Sequence, residues 1–183
     1  MADKNQLIIT AVGPDRIGLV ENISAFITRH NCNIEDSKMA VFCGEFALIL
    51  LLSGDSGSLF SIANHYRELE IETGLAISIK TPSPRKASES WLSYSLTVSC
   101  MDHAGIVYQI SGILSELGIN IESMETTTYA APVSGTPIFR LEAYISVPTT
   151  TNINTLRERF AEIQRAENVD IELALTHSPW SHG

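Results

Sequence analysis

Residues 15–37 read DRIGLVENISAFITRHNCNIEDS, and residues 102–124 read DHAGIVYQISGILSELGINIESM. The offset is 87. Without a gap, eight of the twenty-three positions are identical: Asp15/Asp102, Gly18/Gly105, Val20/Val107, Ile23/Ile110, Ser24/Ser111, Asn33/Asn120, Ile34/Ile121 and Glu35/Glu122. Agreement of this density marks an internal duplication, which constrains the chain to two similar units. The correspondence continues with small shifts. Phe46, Leu48, Leu50 and Leu52 fall opposite Phe139, Leu141, Ala143 and Ile145 at an offset of 93, so the second copy has about six extra residues. They lie in AAPVSGTP, which reads as a longer hairpin loop. Ile62, Tyr66 and Leu69 match Leu156, Phe160 and Ile163 at 94, and Leu75, Ile77 and Ile79 match Val169, Ile171 and Leu173.

Each copy carries the same succession of patterns. LIITAV (7–12) is a short buried-strand run, and SLTVSC (95–100) alternates around the same core. Leu19, Val20, Ile23, Phe26, Ile27 and His30 fall at helical spacing, as do Val107, Ile110, Ile113, Leu114 and Leu117. Two hairpin strands follow: SKMAVFC with FALILLL, and METTTYA with IFRLEAYISV. A second helix carries Leu59, Ile62, Tyr66 and Leu69, or Ile153, Leu156, Phe160 and Ile163; LAISIK or VDIELAL closes the unit. The order is β-α-β-β-α-β, the split βαβ pattern. The fold class expected is α+β: two ferredoxin-like units, each a four-stranded antiparallel sheet with both helices on one face. Such a sheet leaves its other face bare, and with two copies on one chain, burying those faces or edges against each other is the natural solution; a homodimer is also compatible with the sequence. The divisions expected are 1–80 and 93–176 for the units, 81–92 for a linker containing TPSPRKASES, and 177–183 for a polar tail.

Of the 183 residues, 44% are hydrophobic and 18% charged, which suits globular units and argues against disorder. The formal net charge is -9. Gripping DNA by neutralising phosphates needs a basic face, whereas here the twelve Lys and Arg are scattered. The densest cluster, Arg157, Arg159 and Arg165, is interleaved with Glu158, Glu162 and Glu167 and reads as a solvated helix face. Direct nucleic-acid binding is not expected. Cys32, Cys43 and Cys100 are odd in number and lack metal-ligand spacing, so small buried thiols in a reducing compartment are expected and no metal. The polar MADKNQ start has no signal-peptide pattern, and FALILLL is too short to span a bilayer. A cytoplasmic protein with no membrane partner is the expectation.

The repeated turn after the first strand is the candidate site. Asp15 and Asp102 sit where an N-cap belongs. Gly18 and Gly105 fall in the expected first helical turn, where glycine costs up to about 1 kcal/mol relative to alanine. Their recurrence points to a benefit: without a Cβ, another backbone or a ligand can come close, and a helix start offers free N–H groups and partial positive charge. An aspartate cap and a glycine for packing explain both positions without any ligand. A phosphate loop is disfavoured, because neither G-x-x-x-x-G-K-[ST] nor G-x-G-x-x-G is present.

The G-x-D-R-x-G turn after the first strand of a βαββαβ unit, with NCNIEDSKMA leading into the second strand, resembles the ACT domain, a small amino-acid-sensing module. Two such units in tandem, with CNIEDS…FALILLLSG, are similar to the tandem-ACT transcriptional repressors of the glycine cleavage system. In place of the proline usual before the glycine stand Ile17 and Ala104, and His103 stands where the first copy has Arg16. The resemblance implies a small amino acid, glycine or similar, bound where two domains meet. Its carboxylate would face helix N–H groups around Gly18 or Gly105. The implied ligand residues are Asp15, Arg16, Ile17, Gly18 and Asn33, with Asp102, His103, Ala104, Gly105 and Asn120. The ammonium would go to an Asp, an Asn or a backbone carbonyl. At a ceiling of about 1.5 kcal/mol per heavy atom, so small a ligand binds between roughly micromolar and millimolar. The resemblance also implies a DNA-binding activator protein as partner.

Rival readings differ in class. A formyl-tetrahydrofolate deformylase begins with a similar segment but carries a separate catalytic domain, and here the second half repeats the first. Acylphosphatase-like enzymes share the split βαβ fold and would cast Arg16 and Asn33 as a phosphate-holding pair, but the glycine-rich cradle is missing. No enzymatic activity and no cofactor are expected. His30 reads as a helix-end residue, His65 as solvent-facing, His177 and His182 as tail, and His103 as the one histidine in a suggestive turn. Glu35 and Glu122 read as strand-entry charges. The remaining rival is a ligand-free interaction module using exposed sheet edges.

Overall fold

The computed structural model describes residues 5–83, 90–101 and 104–176; residues 177–183 and half of the expected linker, 84–89, lie outside them. The chain divides into two compact units. The first contains β1 (Asn5–Pro14), α1 (Leu19–Arg29), β2 (Asn33–Phe42), β3 (Glu45–Gly54), α2 (Ser56–Thr73) and β4 (Ala76–Lys80). The second contains β5 (Trp91–Met101), α3 (Ile106–Glu116), β6 (Asn120–Ala130), β7 (Pro137–Pro148), α4 (Ile153–Glu167) and β8 (Asp170–Leu175). Strand orders are β2-β3-β1-β4 and β6-β7-β5-β8, and every pairing is antiparallel. These are two ferredoxin-like α+β units, as the duplicated pattern demands. β5 starts two residues inside the expected linker: Trp91 and Leu92 pair with Pro148 and Val147.

Strand alternation builds each core. Leu7, Ile9 and Ala11 of β1, with Phe46, Leu48, Leu50 and Leu52 of β3, are buried against Leu19, Ile23, Phe26 and Ile27 of α1 and Leu59, Ile62 and Leu69 of α2. In the second unit Tyr94, Leu96, Val98 and Cys100 pack with Ile106, Ile110, Ile113, Leu114, Leu156 and Phe160. Burying one such aliphatic side chain stabilises by about 1.5–3 kcal/mol. The helical stripe differs from expectation at its start. Val20 and Val107 are exposed, and Leu19 and Ile106, one residue earlier, face the core. Both helices begin later than a cap at the aspartates would give, and the rest of the stripe, Ile23, Phe26 and Ile27 or Ile110, Ile113 and Leu114, is buried as expected.

Chain reversals explain the remaining punctuation. Cys43 and Gly44, both at positive φ (49 and 83), join β2 to β3 as a two-residue turn whose twist suits a hairpin; this leaves Cys43 exposed and Cys32 half-buried, so of the three thiols expected to be buried only Cys100 is. In the second unit one further pair, Ala130 with Pro137, precedes a six-residue loop, which accounts for the insertion. Asp55 caps α2, its carboxylate accepting from the Ser58 N–H at 3.0 Å. Asn152 caps α4, accepting from the Asn154 N–H at 3.0 Å. Gly74 and Asn168, equivalent across the repeat, end these helices in the left-handed conformation.

Candidate functional site

In each unit the first strand, the end of the second helix and the hairpin turn meet at one end of the sheet. Pro14 pairs with Glu45 beside the Cys43–Gly44 turn, and Val12 pairs with Ala76, just after Gly74. The segment 15–18 crosses this end to start α1. The Asp15 N–H donates to the Gly44 carbonyl at 2.8 Å, tying the crossing to the hairpin. Arg16 reaches the other way, its Nη2 donating to the Glu72 carbonyl at 2.6 Å in the last turn of α2, where a cation also complements the helix dipole. The Glu72 carboxylate lies 3.4 Å from Arg29 Nη2. Arg16 therefore has a structural task, and Glu72, which the sequence did not single out, receives it.

Asp15 is not the N-cap of α1. That position belongs to Gly18, at φ 92, and its carbonyl accepts from the Asn22 N–H at 2.9 Å. Gly105 caps α3 at φ 94 and accepts from the Gln109 N–H at 3.1 Å. The glycines thus stand before the first turn and not within it, and what recurs is a left-handed residue, a conformation costly for any side chain with a Cβ. Among the described residues no side chain caps either helix start with a hydrogen bond, and an added Cβ at Gly18 or Gly105 would meet none of their atoms within 4 Å. Ile17 is fully exposed, with a relative accessibility of 105%, and Leu19 anchors the helix in the core. The first N–H groups of a helix have no intrahelical partner, so each helix start offers donors beside an apolar residue, Ile17 or Ala104. Ala104 occupies the place of Ile17; Asp102 and His103 lie outside the described residues. A hollow of about 410 Å³ opens at this end of the second unit, lined by Ser99, Cys100, Met101, Ile138, Asn168, Val169 and Asp170.

Within their units, Asn33 and Asn120 are not brought to these turns. Asn33 pairs with Ser53, which pairs with Gln6, eight residues from Pro14 along β1. At about 3.3 Å per residue that is roughly 26 Å away. Asn120 pairs with Ser146 at the corresponding end. Both asparagines serve a β-bulge. The register shifts between Ile34 and Asp36, and again between Ile121 and Ser123, leaving Glu35 and Glu122 as the extra residues. Asn33 Nδ2 donates to Glu35 Oε1 at 3.4 Å, and Asn120 Nδ2 to Glu122 Oε1 at 2.8 Å. The Ser53 hydroxyl also donates to Glu35. The repeated Asn-Ile-Glu is the signature of this kink in an edge strand.

Among the described residues no group of three or more His, Cys, Asp or Glu is placed to hold a metal ion. No helix among them is long and apolar enough to cross a membrane.

Sequence comparison agrees with the geometry. Residues 5–80 and residues 94–128 each match the ACT domain. The chain belongs to the ACT-domain family, as a tandem of two such domains. Among individual proteins it is similar to the glycine cleavage system transcriptional repressor of Escherichia coli (strain K12), with 24% identity over 160 residues, covering 87% of this chain and 84% of that protein. It is also similar in structure to an unknown protein from Galdieria sulphuraria, at a TM-score of 0.80 and 26% identity over 96% of this chain and all of that one. A crystal structure provisionally assigned as a glycine cleavage system transcriptional repressor superposes at a TM-score of 0.68, with 24% identity, over 96% of this chain and 99% of that one.

Proposed function

We propose that the chain is a regulatory amino-acid sensor, non-enzymatic, that represses transcription of the glycine cleavage system through a DNA-binding activator protein. The effector is glycine or a similarly small amino acid, held at the helix starts of Gly18 and Gly105. Its carboxylate accepts from the first N–H groups of α1 or α3, and its ammonium takes an oxygen of the same turn, for instance Asp15 or Asp102. The observation that carries this reading is the pair of left-handed glycine caps, one in each unit, that no described side chain caps with a hydrogen bond and where an added Cβ would meet no described atom within 4 Å. Regulation is the role that the similar repressor of Escherichia coli bears in its name. The formal charge of -9 favours leaving DNA to the partner.

The test is thermal stability with added amino acids. A ligand at 100 times its Kd stabilises the folded state by about 2.7 kcal/mol. Millimolar glycine should raise the melting temperature by several degrees, with serine and alanine as comparators. Gly18→Leu fills the space in front of the α1 start and strains the left-handed cap by roughly 1–3 kcal/mol. It should lower the baseline melting point and remove the first unit's share of the glycine response, and Gly105→Leu the second's. A flat response of the unmodified chain across the panel favours the ligand-free interaction module.

A further inference from the structure

The seam between the two helices is built differently in the two units. In the first it is filled by rings. Phe26 of α1 is buried, and the His30 ring lies 4.5 Å from it and 5.6 Å from His65 of α2. In the second unit Gly112, Ile113 and Arg159 stand where the first has Ala25, Phe26 and His65. There a hollow of about 300 Å³ opens between α3 and α4, floored by Ile113 and Ile163 and flanked by Tyr108, Gly112 and Glu162. That volume is at the lower end for a small-molecule site. Packing does not account for Gly112. It stands inside a helix, where glycine is a poorer former than alanine, and an added Cβ would meet no described atom within 4 Å.

Two side-chain bridges close the hollow at its ends. Arg159 Nη2 donates to Glu116 Oε2 at 2.9 Å, and Gln109 Nε2 donates to Glu167 Oε1 at 3.3 Å. Gln109 and Glu116 are seven residues apart, so the bridges stand about 10 Å apart along the helix axis. A partner helix needs a groove that continues past it, whereas a bridged one suits a small molecule. We infer that this hollow binds a small organic cation, a primary amine with an apolar body. The floor of Ile113 and Ile163 takes the body, lying close against the bare backbone at Gly112. The walls and bridges hold three carboxylates, Glu116, Glu162 and Glu167, against one guanidinium, Arg159, a balance that attracts a cation. Glu162 meets the ammonium. Glu116 and Glu167 already accept from Arg159 and Gln109, whereas Glu162 has no hydrogen bond or ion pair among the described residues. Tyr108, 81% exposed at the rim, offers a ring face to the same charge. A free amino acid is disfavoured here, because its carboxylate would find only Arg159, which Glu116 holds. This inference goes beyond the effector reading and does not rest on it: the glycine response tests one, an amine titration the other.

Isothermal titration calorimetry of the full chain with 2-phenylethylamine tests it, with 2-phenylethanol as the neutral counterpart and 3-phenylpropionate as the anionic one. The amine should saturate one site per chain with a Kd below about 1 mM, and both counterparts should bind at least about ten-fold more weakly. Glu162→Gln should weaken the amine by about ten-fold or more, whereas Glu158→Gln, an equal change of charge at an exposed α4 position outside the hollow, should leave its Kd within about two-fold. Gly112→Leu fills the hollow. It should remove amine binding and raise the melting temperature of the unliganded chain, since leucine is the better helix former. Absence of saturable amine binding below about 1 mM, equal binding of the alcohol, or an undiminished affinity in Glu162→Gln or Gly112→Leu would each overturn the assignment.

Discussion

Gly13 and Leu75 of the first unit correspond to Cys100 and Val169 of the second, and the two pairs fill similar space in opposite ways. A Cβ added to Gly13 would stand 3.0 Å from Leu75 Cδ2 and 3.3 Å from the Gly74 carbonyl oxygen. In the second unit the strand residue grows to a buried cysteine while its neighbour just before the last strand shrinks to valine. The first glycine of G-x-D-R-x-G is thus a packing residue, whereas Gly18 is a conformational one. Gly13→Cys should overpack the first core and cost roughly 1–3 kcal/mol. Leu75→Val alone should cost roughly 1 kcal/mol. Because the two side chains share one space, the double variant should be more stable than the two single costs predict, by about 1 kcal/mol in urea unfolding. Strict additivity would refute the compensation.

At the scale of elements, apolar periodicity was enough to order the strands and helices, because burial dictates it. The exceptions are places where backbone conformation decides. Asp15 reads as a helix cap, since aspartate caps helices well, but a glycine three residues later can take a left-handed φ and starts the helix instead. Likewise the family resemblance offers Asn33 and Asn120 as ligand groups, whereas strand register shows that within their own units they brace a bulge. The openness of the turns could not be read from the sequence, as it depends on what neighbours leave vacant. Nor was the seam between α1 and α2 legible. His30 ends α1 half-buried, its ring 4.5 Å from Phe26 and 5.6 Å from His65, with Nδ1 2.9 Å from the Ser61 hydroxyl. Burial chiefly, with His65 and Arg29, lowers its pKa, against an opposing pull from Glu68. A lowered folded-state value means that the unfolded chain binds the proton more readily below about pH 6.5. The stabilisation from neutral His30 is complete above that pH and drains away as pH falls toward the depressed value. Between pH 7.5 and 5.5 the unmodified chain should therefore lose more stability than His30→Gln in urea unfolding; parallel losses would show that the seam does not titrate.

At the scale of the whole molecule, charge sets what the chain can touch. Twelve basic residues face twenty-one acidic ones. Several basic residues are already engaged: Arg16 at the end of α2, Arg140 on Glu142 at 2.7 Å and Arg159 on Glu116 at 2.9 Å. A protein that neutralises six to ten phosphates owes most of its affinity to released counterions, and a chain of net charge -9 repels the same polyanion. An electrophoretic shift assay with this protein alone should show no specific retardation of duplex DNA at about 150 mM salt. The informative case has three components. If an activator holds the DNA and this chain holds the activator, glycine should change the mobility of the ternary complex but leave the activator–DNA complex as it was. Gly18→Leu with Gly105→Leu should abolish that change while the protein still joins the complex. Specific retardation by the protein alone would locate DNA contact in this chain and remove the need for an intermediary.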